Sequence, residues 1–393
     1  MLLPQSGCPD EWETCELNHP RSASHAYSEN FMLPLPPLQI GSHLAPYPII
    51  QGAMAVRVSG APLASAVANA GGIGLISSFG IGLHPDYFGA AYPKRRLFEA
   101  NQLALIDAIQ EARQTSPTGM IGVNILVATR DYPELAQTAA ARGANLIVTA
   151  AGMPWDLPRY TEQYPEVALV PIVSNLESAQ ALCETWQERY QRWPDGLIVE
   201  NCKLIGGHFA SQCESGDVAT IATTVAELRH YLNWQGRATP IIVTGGIWDR
   251  SDIERMLAIG ADGVQMGSRF ITTAECSADP RYQALHVGAE TPDIITVPSP
   301  AGKPARVIRN RFAELALADS PDLEKRCIAN CLAACLCRDR GKTYCLLQAL
   351  SRAAQGDTDQ GLLFSGGAVR AVERILPVAE LMATLTCSTL TVP

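Results

Sequence analysis

Two glycine turns, Thr244-Gly245-Gly246 and Met266-Gly267-Ser268, each follow directly on a short apolar run. Glycine lets the backbone come close to a bound anion, and the free N–H groups of the helix that follows point at it. Either turn alone serves as well as a plain tight connection; two in neighbouring units favour a phosphate grip. A third turn, Gln51-Gly52-Ala53-Met54, ends an earlier run with small residues. These leave room for a flat ring, over which Met54 can lie through its polarisable thioether, or they simply pack. Asn124, inside another run, offers a donor and an acceptor to the edge of a heteroaromatic ring, or else caps a turn. His208 follows Gly206-Gly207, so a proton carrier that works near neutral pH enters without a steric wall.

Cys327, Cys331 and Cys335 are spaced by four, with Cys337 and Cys345 close behind. On a helical stretch from Leu323 to Ala353 that spacing aligns the first three on one face. Zinc and iron–sulfur sites use such thiolates, but zinc sites prefer pairs on turns. Buried free thiols packing a cap are therefore expected, with no metal and no cysteine nucleophile.

The elements that must hold these residues alternate. Eight apolar runs of strand length are Tyr47–Gln51, Ile73–Ser77, Met120–Val127, Leu146–Thr149, Val167–Val173, Gly196–Glu200, Pro240–Thr244 and Gly263–Met266. Ala-, Leu- and Glu-rich stretches with helical spacing separate them, as in Leu103–Gln114 and Glu177–Tyr190. Apolar runs without polar alternation suit strands buried on both faces of a parallel sheet. Eight such units predict an α/β fold, a (β/α)8 TIM barrel with a helical C-terminal cap, in preference to an open doubly wound sheet. No Gly-x-Gly-x-x-Gly opens the first unit, which argues against a dinucleotide-binding Rossmann domain. In a barrel the loops after the seventh and eighth strands commonly hold phosphate, and both glycine turns fall there. The expected organisation is a flexible tail over 1–31 with Met32 as an alternative start, a barrel over 32–275, a Cys-rich cap over 276–350 and a return to the barrel over 351–393. The long connection Gly80–Ala100 has the place of a lid, and its basic run Lys94-Arg95-Arg96 reads as solvated surface.

With 393 residues, 47% of them hydrophobic and 18% charged, the chain can bury a large core. A formal charge of −9 disfavours nucleic-acid and acidic-membrane partners. No run is long and pure enough to span a bilayer, and residues 1–31 lack the pattern of a secretory signal. A cytoplasmic protein is expected, and its twelve cysteines then suggest buried thiols, metal binding or catalysis before disulfides.

Taken in order, these segments resemble the nitronate monooxygenase family. The resemblance is carried by Pro48-Ile49-Ile50-Gln51-Gly52-Ala53-Met54, Val67-Ala68-Asn69-Ala70-Gly71-Gly72-Ile73-Gly74, Gly122-Val123-Asn124 and Gly206-Gly207-His208. It continues through Val243-Thr244-Gly245-Gly246-Ile247, Gly263–Phe270, Arg306-x-x-Arg309-Asn310-x-Phe312 and Gly356-Asp357…Gly361-Leu362…Gly366. It implies FMN bound without a covalent link, its ring against Gly52, Ala53 and Met54 near Asn124, and its phosphate on Gly245, Gly246, Gly267 and Ser268. His208 matches the family's active-site histidine. The implied reaction oxidises an alkyl nitronate with O2 to a carbonyl compound and nitrite. The implied partners are a small-molecule substrate and O2, in a chain that is either monomeric or a homo-oligomer. The rival that the same resemblance leaves open is a reductase taking hydride from NAD(P)H as co-substrate to an enoyl thioester or a quinone. Two departures stand out. Glu200-Asn201-Cys202-Lys203-Leu204-Ile205 is bulkier than the small residues the family commonly has there, and Gly52-Ala53-Met54 lacks the family's frequent proline.

Overall fold

The computed structural model describes residues 34–90, 96–208 and 218–387. The expected tail over 1–31, and Lys94 and Arg95 of the basic run, lie outside the described residues. The first described elements are a short hairpin of β1 (Leu38–Ile40) and β2 (His43–Ala45). A closed parallel barrel of eight strands follows. Its units run β3 (Ile49–Gln51), α1 (Ala61–Asn69), β4 (Ile73–Ser77), α2 (Leu97–Thr115), β5 (Met120–Leu126), α3 (Tyr132–Ala141), β6 (Leu146–Ala150), α4 (Leu157–Tyr160), β7 (Ala168–Val173), α5 (Leu176–Tyr190) and β8 (Leu197–Glu200). After a two-residue strand, β9 (Gly207–His208), come α6 (Val218–Trp234), β10 (Ile241–Thr244), α7 (Arg250–Ala258), β11 (Gly263–Met266) and α8 (Ser268–Ile271). β11 pairs with β3 and closes the ring. The chain is a TIM barrel.

Neighbouring apolar residues in these strands serve different cores. Ile50, Leu146, Val148, Val170, Ile198 and Ile242 fill the barrel interior. Ile49, Ile147, Leu169, Val199, Ile241 and Val243 face the helices. That division explains why the strands read as unbroken apolar runs. Leu38, Ile40 and Ala45 of the hairpin join the interior set, so the hairpin is part of the barrel's own core. Gly74 shows how tightly the layers fit: a Cβ there would lie 1.9 Å from the Ala64 carbonyl oxygen of α1. Among the described residues no helix is long and apolar enough to cross a membrane.

Beyond α8 the chain builds α9 (Pro280–Val287), a hairpin of β12 (Ile294–Pro298) and β13 (Pro304–Ile308), then α10 (Arg311–Leu317), α11 (Leu336–Arg340), α12 (Leu346–Ala354) and α13 (Val378–Thr386). The cap is thus not purely helical: β12, β13 and β9 form a three-stranded antiparallel sheet. Nor is Leu323–Ala353 one helical stretch. Cys327, Cys331 and Cys335 do not share a helix face, because residues 323–335 are irregular. A loop of the barrel captures that backbone: Arg130 N–H donates to the Cys331 carbonyl and Ala333 N–H to the Ala128 carbonyl, both at 2.9 Å. Asn330 sits at φ +50°, a conformation that interrupts a helix. Cys331, Cys337 and Cys345 are buried free thiols in the cap core with Phe312, Tyr344 and Leu347. Asn310 ties the cap together. It accepts Ala313 N–H at the start of α10 and donates to the carbonyls of Thr358 and Gly361. Leu381, Met382 and Leu385 of α13 pack into the barrel's outer core.

Candidate active site

The C-terminal ends of the barrel strands and the cap enclose a cavity of about 530 Å³, within the range of small-molecule sites. Gly52, Ala53, Met54, Asn124, His208, Gly245, Gly246, Gly267 and Ser268 all line it. The structure therefore brings together every residue singled out from the sequence as a site candidate.

Gln51, fully buried, sets the loop that presents the first three. Its amide donates to the Gly52 carbonyl at 2.7 Å and to Ser59 Oγ at 3.0 Å, while its oxygen accepts Leu75 N–H. Ser59 in turn accepts Met54 N–H. On the opposite side Gly245 and Gly246 adopt φ +100° and +78°, which only glycine takes without strain. A Cβ on Gly245 would also lie 2.8 Å from the Asn201 carbonyl oxygen. The protein itself demands glycine at both positions. Gly267 differs: its φ is −102°, and the nearest atom to an added Cβ is Met54 Sδ at 3.6 Å. Neither its backbone angle nor a close neighbour in the fold calls for glycine there. Ser268 begins a helix of one turn, and its hydroxyl accepts the Gly366 N–H at 2.8 Å, which draws the C-terminal return over the mouth. Gly367 N–H donates to the Leu204 carbonyl from the same return.

His208 stands on β9, opposite Ala305 of β13. Its Nε2 and Ser299 Oγ are hydrogen-bonded at 2.5 Å, and its ring meets Phe364 edge to face at 5.2 Å. Burial lowers its pKa to about 4, and the Lys303 ammonium adds to the effect. It is a neutral imidazole at physiological pH, able to accept a proton or to donate one N–H. Burial pushes Glu200, the last residue of β8, up to about 7, opposed by Lys303. Arg306 of β13 donates to the carbonyls of Cys202 and Ile205 at 2.7 and 3.0 Å, pinning the segment that leads to His208.

In the sequence Glu200 and Lys203 stand only as members of a bulky stretch, with no site role. The lysine that reaches the cavity is Lys303. Sequence reasoning also missed Gln265, which lines the cavity and whose Oε1 is buried without a partner. Cys202 corrects the thiol expectation at one position: it is disulfide-bonded. Among the described residues no cluster of His, Cys, Asp or Glu is arranged to hold a metal ion.

A pair of glycine turns, a wall of small residues and a neutral histidine thus meet in one barrel mouth. A family model described as nitronate monooxygenase matches residues 37–388. The chain belongs to the nitronate monooxygenase family. Pseudomonas aeruginosa nitronate monooxygenase is 27% identical over 367 residues, 86% of this chain and 95% of that protein. A Mycobacterium tuberculosis protein described as a monooxygenase is 27% identical over 257 residues, 61% of this chain. The chain spans only 62% of that protein's length, and 64% of a second mycobacterial relative, a carboxyl-CoA dehydrogenase. Two solved structures share the fold. FabK from Thermotoga maritima has a TM-score of 0.64 at 24% identity, covering 86% of this chain and 91% of that one. Nitroalkane oxidase from Streptomyces ansochromogenes has a TM-score of 0.63 at 19% identity, covering 87% and 95%. Membership of that family makes the cavity a candidate flavin site.

The residues present suit a flavin. The cavity has the volume for it, Gly267 leaves space that the fold does not need, and the orphaned Gln265 Oε1 can accept from a ring N–H.

Proposed function

We propose that the enzyme binds FMN and oxidises alkyl nitronates with O2, giving a carbonyl compound and nitrite. Gly245, Gly246, Gly267 and Ser268 would hold the phosphate through backbone N–H groups, and Gly52, Ala53, Met54 and Asn124 would flank the ring, with Gln265 at its edge. The flavin supplies the electron acceptor. His208 carries the reading: a neutral imidazole on the cavity wall, braced by Ser299 and Phe364. It donates an N–H to an oxygen of the nitronate, orients the anion and holds the proton that moves during turnover. Phe364, Leu346 and Leu350 line the same chamber and exclude water from it.

The test is anaerobic mixing of the purified yellow protein with ethylnitronate while its visible spectrum is followed. Bleaching by ethylnitronate, and not by NADH or NADPH, is expected. Bleaching by a nicotinamide alone would replace this reading with that of an enoyl or quinone reductase. Protein without any flavin would overturn both.

A further inference from the structure

Glu200 and Lys303 face the cavity from opposite partners, one at the end of a barrel strand and one on the β12–β13 connection of the cap. Among the described residues neither side chain makes a hydrogen bond or an ion pair, although each lies within the other's electrostatic reach. The Glu200 carboxyl is shielded from water on the cavity wall and has no partner among the described residues, while Lys303 lines the same cavity from an exposed position on the cap and keeps its ammonium in reach of solvent. Such a pair is complementary to a guest with geminal oxygens: the ammonium meets its charge, and a protonated carboxyl donates a short O–H···O⁻ bond.

We propose that Glu200 and Lys303 form the subsite for the planar oxyanion head of the substrate, a nitronate-type group, and that filling it adds one proton to Glu200. The proposal rests on the mouth being the substrate chamber of the flavoenzyme. No bond to carbon is made or broken in this step; the proton comes from solvent and stays on the Glu200 carboxyl while the anion is bound. The other titratable groups facing the chamber are His208 and Tyr282. Burial keeps both neutral, lowering the first and raising the second. Among the chain's own groups lining the cavity, Lys303 therefore sets the charge that Glu200 feels, and a bound phosphate contributes equally to the empty and the nitrate-filled states. Before binding, Glu200 is pushed up to about 7, and an added anion raises it further.

The probe is nitrate, a planar oxyanion that stays ionised from pH 6 to 9 and is not turned over. It is titrated into the flavin-loaded protein, following the flavin's visible spectrum and, by calorimetry in two buffers of different ionisation enthalpy, the protons taken up. The apparent Kd should rise about tenfold per pH unit above pH 7, with close to one proton taken up per nitrate at pH 8. Glu200→Gln should abolish this pH dependence and keep the tight binding seen at pH 6, since the amide still donates. Lys303→Met should weaken binding at least tenfold at every pH. A wild-type Kd that is flat with pH, a pH dependence that survives in Glu200→Gln, or no loss in Lys303→Met would overturn the subsite. Linked nitrate binding in a protein that leaves nitronates untouched would retain the subsite and reject the proposed reaction. Nitronate oxidation without linked nitrate binding would do the reverse.

Discussion

Replacing Glu200 by glutamine tests the electrostatics of the mouth without any ligand or turnover. A free glutamate titrates near 4.5, and this one near 7 because it is buried. A carboxyl raised in the folded state favours folding fully below pH 4.5, and that contribution is lost as pH rises through 7. At about 1.4 kcal/mol per pH unit, holding it ionised at pH 8 costs about 3 kcal/mol. Glutamine is nearly isosteric and never ionises. For a chain of this size, with about 2 cal/mol/K of unfolding entropy per residue, 3 kcal/mol is worth roughly 3–4 °C. Thermal melts of flavin-free wild type and Glu200→Gln from pH 4.5 to 8.5 should coincide at the acid end. They should part from about pH 5 and reach their full separation above pH 7, with the variant more stable. His208 works with the opposite sign. Lowered to about 4 by burial, it removes stability as pH falls from 6.5 towards 4. That slope is common to both proteins and cancels in the difference. A separation independent of pH, or a variant less stable at pH 8, would refute the reasoning.

Gly267→Val should fold and melt close to the flavin-free wild type, because its φ is negative and an added Cβ meets only the flexible Met54 side chain at ordinary contact distance, yet purify colourless with flavin affinity down at least 100-fold. A fully loaded yellow variant would place the phosphate elsewhere. His208→Asn should keep its flavin and lose roughly 10²–10⁴ in turnover of ethylnitronate, measured by oxygen uptake. Loss of the flavin itself would reassign His208 to cofactor binding.

The barrel was legible because its strands are long apolar runs whose alternate residues feed two cores. Ile73–Ser77 and Gly263–Met266 run over the same residues in sequence and structure. The glycine turns were legible as turns; what separates Gly245 from Gly267 is backbone angle and the neighbour a Cβ would meet, neither of which residue type encodes. The β1–β2 hairpin escaped because three-residue strands carry too little periodicity to register, and its apolar residues matter only once the barrel has closed around them. The spacing of Cys327, Cys331 and Cys335 suggested a helix, and it was defeated by hydrogen bonds to Ala128 and Arg130, some two hundred positions earlier. Glu200 was visible as a charge ending an apolar strand. Its chemistry depends on burial and on Lys303 from the cap, and so could not be read locally.

The pairing of β9 with β13 has a consequence for how this enzyme can be remodelled. His208 is encoded within the barrel's sequence, but Ser299, Phe364 and Lys303, which brace its ring and tune its basicity, come from beyond the barrel. The seam between the two parts runs through His208 itself. In a chimera joining this barrel to a relative's C-terminal region, the glycine turns would travel with the first parent and the acidity of the histidine with the second. Cofactor retention and reaction preference would then be inherited separately, and the recombination point best suited to exchanging reactions lies just after α8.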